Sequence, residues 1–222
     1  RWTKKRKEEI ISSRVESSKL IVDSLKTIPN KVKAVISSSA IGWYGKDLIP
    51  NPSPRGGEGG GVRKFVESDP PVNDFLGSVC KQWEESIEPV TGLGKRLVIL
   101  RIGIVLSKNG GALKEFLKPL KFGVAAILGN GKQIVSWIHM DDLVRIYIAA
   151  VENDKMNGVY NAVAPHPVSN KKLIIELTKA RKKFYISVYV PSIILKGVLG
   201  EMSNEILKSA MVSCNKIQNT GF

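Results

Sequence analysis

Two apolar, β-branched runs separated by a helical stretch constrain this chain more than any other feature. Residues 33–39 (KAVISSS) and 96–106 (RLVILRIGIVL) carry apolar side chains at successive positions instead of alternating ones. That is the pattern of short strands buried on both faces, as in parallel sheets. Between them, residues 73–87 (NDFLGSVCKQWEESI) set Leu76, Val79, Cys80 and Trp83 on one side of a helix. Strand, helix, strand in that order is a βαβ unit, so the chain is expected to be an α/β protein with a parallel sheet.

The flanking segments agree with that class. Residues 3–28 read as a helix, with Ile11, Val15, Ser18, Val22 and Leu25 forming one core-facing stripe and Pro29-Asn30 ending it. Residues 51–64 (NPSPRGGEGGGVRK) have almost no apolar side chains and read as a flexible surface insertion. They lack the GK[ST] ending of a phosphate-binding loop. Downstream come a short helix broken by Pro119, then a turn, a strand and a helix start in GNGKQIVSWIHMDDL, with Asp141 or Asp142 as its cap. A strand at VYNAVAP, a helix over 169–182, a strand in FYISVYVP and an apolar helix after Pro191 follow, and this tail reads as a smaller lobe. The expected division is 1–164 and 165–222.

Composition excludes several classes. The 222 residues are 43% hydrophobic, enough for one core and a lobe. The formal charge is +14, but the lysines are spread along the chain instead of concentrated on an aromatic-rich face, which argues against a nucleic-acid binder. The apolar run 188–199 is interrupted by Pro191 and Lys196 and is too short for a membrane span. Two distant cysteines, Cys80 and Cys214, and two distant histidines, His139 and His166, give no metal-ligand spacing and fit a reducing cytoplasmic location. The basic start RWTKKRKEEI has no apolar signal-peptide core. Nothing in the sequence indicates an oligomeric state.

Five blocks in a fixed order, ISSSAIGWYG, LRIGIVLSKNGGAL, SWIHMDDLV, VYNAVAPHPVSN and VPSIILKGVLGEMSNEIL, resemble the atypical extended short-chain dehydrogenase/reductases. Within the NAD-dependent epimerase/dehydratase superfamily they are most similar to the "epimerase family" branch, which has a C-terminal domain of unknown function. Some members of that branch carry a cell-division-inhibitor-like label. The resemblance implies a Rossmann-like parallel sheet with helices on both faces and a small C-terminal α/β lobe. It also implies an N-terminally truncated chain: two or more βαβ units would precede Arg1, on the order of 60–80 residues at roughly 30 or more per unit. They would hold the cofactor's pyrophosphate at a helix N-terminus, so the chain alone is expected to bind a dinucleotide poorly.

The resemblance further implies a cofactor, NADP in preference to NAD, and a small-molecule substrate, a hydroxyl or carbonyl compound of nucleotide-sugar-like kind. The expected reaction is epimerisation or oxidoreduction by hydride transfer. In typical relatives a serine after the strand works with a Tyr-x-x-x-Lys pair on the next helix, the lysine lowering the tyrosine pKa. Ser39 falls at the serine position and is the expected catalytic and cofactor-facing hydroxyl. The pair is absent: its positions are Leu76 and Cys80, or Phe75 and Val79 in the adjacent register. Carried over from the branch, Glu9 and Arg14 would face NADP, a carboxylate for ribose hydroxyls and an arginine for phosphate, and the backbone of Val105 would lie by the nicotinamide. Glu9 and Arg14 also read as solvated helix residues, His139 as either a cleft acid-base or a structural histidine, and Trp43 and Tyr44 as cleft lining or core. The missing pair leaves two other readings open, a regulatory protein that binds NAD(P) without catalysis and a decayed gene fragment.

Overall fold

The computed structural model describes residues 2–46 and 63–222; the glycine-rich insertion expected over 51–64 lies outside the described residues except for Arg63 and Lys64. Helix α1 (Lys4–Thr27) begins where the Thr3 hydroxyl accepts from the Arg6 N–H and buries the expected stripe at Ser18 and Val22. Pro29 follows, and the chain enters strand β1 (Ala34–Ala40), which ends in a 3-10 turn over Ile41–Trp43. Helix α2 (Phe75–Ile87) starts at Asp74, whose carboxylate accepts from the Gly77 N–H at 2.8 Å. Gly77 is required there, because a Cβ would stand 2.0 Å from the Val72 carbonyl oxygen.

The second apolar run is not one strand but two. Strand β2 (Arg96–Ile102) and strand β3 (Ile104–Ser107) are divided at Gly103. The Gly103 N–H donates to Ala162 and the next N–H, of Ile104, donates to Ser136, so the chain changes partner at the glycine. A Cβ at 103 would lie 2.7 Å from the Ser136 carbonyl oxygen, which is why this close approach needs glycine. Helix α3 (Gly111–Leu120) continues through Pro119, which sits in its last turn and does not break it. Strands β4 (Val124–Leu128), β5 (Ile134–Val135) and β6 (Trp137–His139) lead into helix α4 (Met140–Glu152). The cap of α4 is His139, whose Nδ1 accepts from the Asp141 N–H; Asp141 and Asp142 lie inside the first turn, favourable for the helix dipole.

Strand β7 (Gly158–Ala162) completes the main sheet, whose order is β1-β2-β7 with every pair parallel. Strand β8 (Val168–Ser169) pairs antiparallel with β5 and leads into helix α5 (Asn170–Arg181), capped by Ser169. Strand β9 (Ile186–Val190) then runs parallel to β4, pairing residues from either side of position 165. Helices α6 (Ser192–Leu199), α7 (Met202–Ile206) and α8 (Asn215–Gln218) finish the chain.

The central strand explains the two-sided apolar pattern. Leu97 and Ile99 pack with Val22 of α1 and Ile87 of α2 on one face; Val98 and Leu100 pack with Leu143, Ile146 and Ala150 of α4 on the other. Each such fully buried side chain contributes roughly 1.5–3 kcal/mol relative to exposure. The result is the Rossmann-like α/β arrangement, a parallel sheet with helices on both faces. All three strands point their carboxyl ends to one edge, where ligands of open parallel sheets bind.

Candidate functional site

Alternation along β1 decides what each of the three serines does. Ser38 points to the α4 face, where its hydroxyl and that of Tyr147 lie 2.5 Å apart. Ser37 and Ser39 point to the other face. Ser39 is buried, and its hydroxyl donates to Oε1 of Glu84 on α2 at 2.6 Å, so it is turned under α2 and not toward open solvent. Glu84 is in turn held by Arg101 of β2 in a two-pronged pair, Nε to Oε1 and Nη2 to Oε2, both 2.9 Å. Arg101 also donates through Nη1 to the Tyr44 hydroxyl (3.1 Å) and to the Glu67 carbonyl (3.0 Å), and its guanidinium lies 3.6 Å from the Trp43 ring centre. Burial works to lower the Arg101 pKa, but the bonds and charge of Glu84 outweigh it and hold it above its ordinary value. Tyr44 passes the chain on to Asn161 at 2.7 Å and stacks on Phe65. Buried Tyr44 and half-buried Trp43 therefore belong to a support beneath the strand end.

Above that support, at the carboxyl ends of β1 and β2, lies a cavity of about 260 Å³ walled by Ile41, Gly42, Leu76, Ile104 and Ser136 among others. Leu76 is one of the two positions, with Phe75, expected for the tyrosine, and a Cβ on Gly42 would lie 3.2 Å from its Cβ. Cys80, one turn on, donates its thiol weakly to the Ala40 carbonyl at 3.5 Å. Burial, with Glu84 adding to it, pushes the Cys80 thiol up to about 11, so it stays protonated at neutral pH and cannot replace a cationic lysine.

Two further cavities meet this one. One, about 450 Å³, opens between α3, β4, α6 and α7; the other, about 520 Å³, lies between the start of α1, Asp74 and α7. Glu205 and Lys208 line all three. Lys208, with a side chain only 9% exposed, donates to Asp74 Oδ2 at 2.9 Å and Glu205 Oε2 at 3.2 Å. Burial raises the Glu205 pKa; Lys208 opposes the shift and Asp74 adds to it.

The residues carried over by resemblance are not gathered into one place. Glu9 is exposed and paired with Arg6. Arg14 donates to the Ile10 carbonyl at 2.8 Å and its guanidinium lies 5.2 Å from the Trp83 ring of α2. Val105 sits in β3 opposite Ile138. His139 is a helix cap. Among the described residues no three His, Cys, Asp or Glu side chains converge in a way that could hold a metal ion, and no helix is long and apolar enough to cross a membrane.

Sequence reasoning missed Arg101, Glu84, Asp74, Glu205 and Lys208. The first had a readable signal: an arginine in the middle of a doubly buried strand demands a buried partner. Glu205 and Lys208, three apart in an otherwise apolar stretch (EILKSAMV), were a weaker one.

Comparison with known proteins places the chain. No family model matches it. The epimerase family protein of Staphylococcus aureus is 32% identical over 222 residues, all of this chain and 70% of that protein; that of Staphylococcus epidermidis has the same identity and coverage. Among solved structures, the human epimerase family protein SDR39U1 (isoform 2) with NADPH is similar at a TM-score of 0.87 and 26% identity, over 100% of this chain and 71% of that one. A nucleoside-diphosphate sugar epimerase from Corynebacterium glutamicum follows at 0.73 and 28%, over 100% of this chain and 41% of that one. With 32% identity over the whole of this chain and 70% of the relative, and a matching overall fold, the protein belongs to the epimerase family of short-chain dehydrogenase/reductase-like proteins.

Proposed function

We propose that this protein binds NADP(H) at the carboxyl ends of β1 and β2 and transfers hydride to or from a hydroxyl or carbonyl compound. The observation that carries this reading is the likeness of the whole chain to the human relative determined with NADPH. The cleft fits such a group on its own terms. Gly42 leaves room that a side chain would fill against Leu76, and the walls from Ile41, Leu76 and Ile104 are apolar enough to exclude water from a nicotinamide ring.

When bound, the cofactor supplies the hydride donor or acceptor. The chain does the rest. The Ser39–Glu84–Arg101 network holds the end of β1 against α2 and so keeps the cleft floor in place. The Val105 backbone would lie by the nicotinamide, and Glu9 and Arg14 would meet the ribose hydroxyls and the phosphate once their present surface partners are exchanged. The proton that accompanies hydride has no tyrosine to carry it. Asp74, Glu205 and Lys208 are titratable side chains that line these cavities near Leu76, with Lys7, Lys46 and Glu201 farther along the second one.

Thermal shift with NADPH and NADH on the full-length gene product tests the reading. A rise in Tm at millimolar NADPH is expected, and no shift with either nucleotide refutes it. Arg14→Ala should weaken NADPH more than NADH. A second reading, a regulatory protein that binds NADP(H) without turning over a substrate, is favoured by one observation: in either register of α2, Leu76 and Cys80 or Phe75 and Val79, no Tyr-x-x-x-Lys pair is present. A screen that finds turnover on any carbonyl compound eliminates it.

A further inference from the structure

The cleft described above has an unusual division of chemistry. In the cavity of about 450 Å³, a size suited to a small molecule, every lining residue is apolar except Glu115, Asn170, Glu205 and Lys208. Two of those four are already committed or outward. Asn170 Oδ1 accepts from the Leu128 N–H at 2.9 Å, and Glu115 is exposed and paired with Lys118. The other two, Glu205 and Lys208, stand together at one end, where the cavity joins the Leu76 cleft.

At that end the Lys208 ammonium already faces two carboxylates, and Lys46 is near enough to act on Glu205 as well. Lys208 is held between Asp74 and Glu205, which take two of the three N–H donors of its ammonium among the described residues. A phosphate or carboxylate head placed there would meet Asp74 and Glu205 at close range in an apolar setting, which disfavours it strongly. A neutral oxygen would not: it can accept from Lys208 and lie beside Glu205. Burial raises the Glu205 pKa, with Lys208 opposing the shift. Apart from Asn170, the walls provide no side-chain donors for a diphosphate, a base or a sugar ring.

We infer that the substrate is a neutral, predominantly apolar ketone or secondary alcohol, its chain lodged between α3, β4 and α6 and its oxygen anchored by Lys208, beside Glu205, at the edge of the Leu76 cleft. The inference rests on the proposed function for its placement, since the anchored carbon then faces the nicotinamide side, but binding of the apolar compound does not require the cofactor.

Calorimetric titration of the full-length, cofactor-free gene product with 2-hexanone, 2-octanone and 2-decanone tests it. Kd should fall about fourfold for each added methylene, and decanoate should bind at least tenfold more weakly than 2-decanone. Ala126→Trp, which fills the cavity from β4, should abolish the chain-length dependence; Leu199→Trp from α6 serves as a second plug if the first does not fold. Lys208→Met should weaken each ketone about tenfold while leaving the dependence per methylene unchanged, which a general loss of structure would not do. Affinity independent of chain length, decanoate binding as tightly as 2-decanone, or unaltered ketone affinity in Lys208→Met overturns the inference. Failure here with a normal NADPH shift rejects the substrate class alone; failure of both rejects the proposed function with it.

Discussion

Replacing Glu84 by glutamine tests whether the ion pair under β1 supports the cleft. The substitution keeps the shape of the side chain but removes its charge. It also turns one oxygen into an NH₂ that faces Arg101 Nη2, donor against donor, at a site where the pair now stands at 2.9 Å. The side chains are 3% and 9% exposed for Arg101 and Glu84, so solvent cannot screen the orphaned guanidinium. Breaking one partner of such a buried pair costs about 3–5 kcal/mol. For a chain of this size that is a fall in Tm of about 6–20 °C. Ser39→Ala removes only a hydrogen bond to a charged acceptor and should cost less, about 1.5–3 kcal/mol. The pair Glu84→Leu with Arg101→Met leaves no buried charge and should be more stable than either single variant, a coupling that a double-mutant cycle reads directly. Urea unfolding followed by tryptophan fluorescence gives the values at constant m. A Glu84→Gln protein within about 1 kcal/mol of the parent, or strictly additive single and double variants, would refute the assignment.

Three further outcomes follow from the same geometry. Gly103→Ala should destabilise by about 1–3 kcal/mol, because the new Cβ meets the Ser136 carbonyl at 2.7 Å and the strand cannot change partners there; an unchanged urea midpoint contradicts this. Cys80 and Cys214 are buried with raised pKa, so iodoacetamide at pH 8 should label neither in the native protein and both after unfolding, as read by mass spectrometry. Glu205 has a folded pKa above its ordinary 4.5, so its protonated form contributes stability that is present below that value and lost as pH rises through the folded value. Relative to the parent, Glu205→Gln should therefore gain stability as pH rises from 4 to 8; a difference in Tm that is flat with pH, or of opposite sign, would show that Glu205 is not shifted upward.

The parallel α/β class was legible because doubly buried strands leave no polar face: Val98 and Leu100 meet α4 while Leu97 and Ile99 meet α1 and α2. Helix α1, its buried stripe and the absence of the Tyr-x-x-x-Lys pair could also be read directly, since helical spacing and residue identity are local properties. The break at Gly103 was not, because a glycine inside an apolar run looks the same whether the strand continues or hands over to a new partner; only the approach of Ser136 requires it. Local sequence points to an aspartate as the cap of α4, but the cap is His139, one polar side chain among neighbours with similar local credentials.

The cleft itself belongs to the second kind of knowledge. Residue order placed Ser39 at a strand end, but strand alternation turned its hydroxyl under α2 into a network with Glu84 and Arg101, which come from 45 and 62 residues further along the chain. Lys208 and Asp74 are farther apart still, and nothing local ties them together. By itself the sequence determined periodicity, burial and which groups are missing, because each of those depends on a residue and its near neighbours. The tertiary structure alone decided which charges meet, because a buried charge takes its partner from whatever segment the fold packs against it.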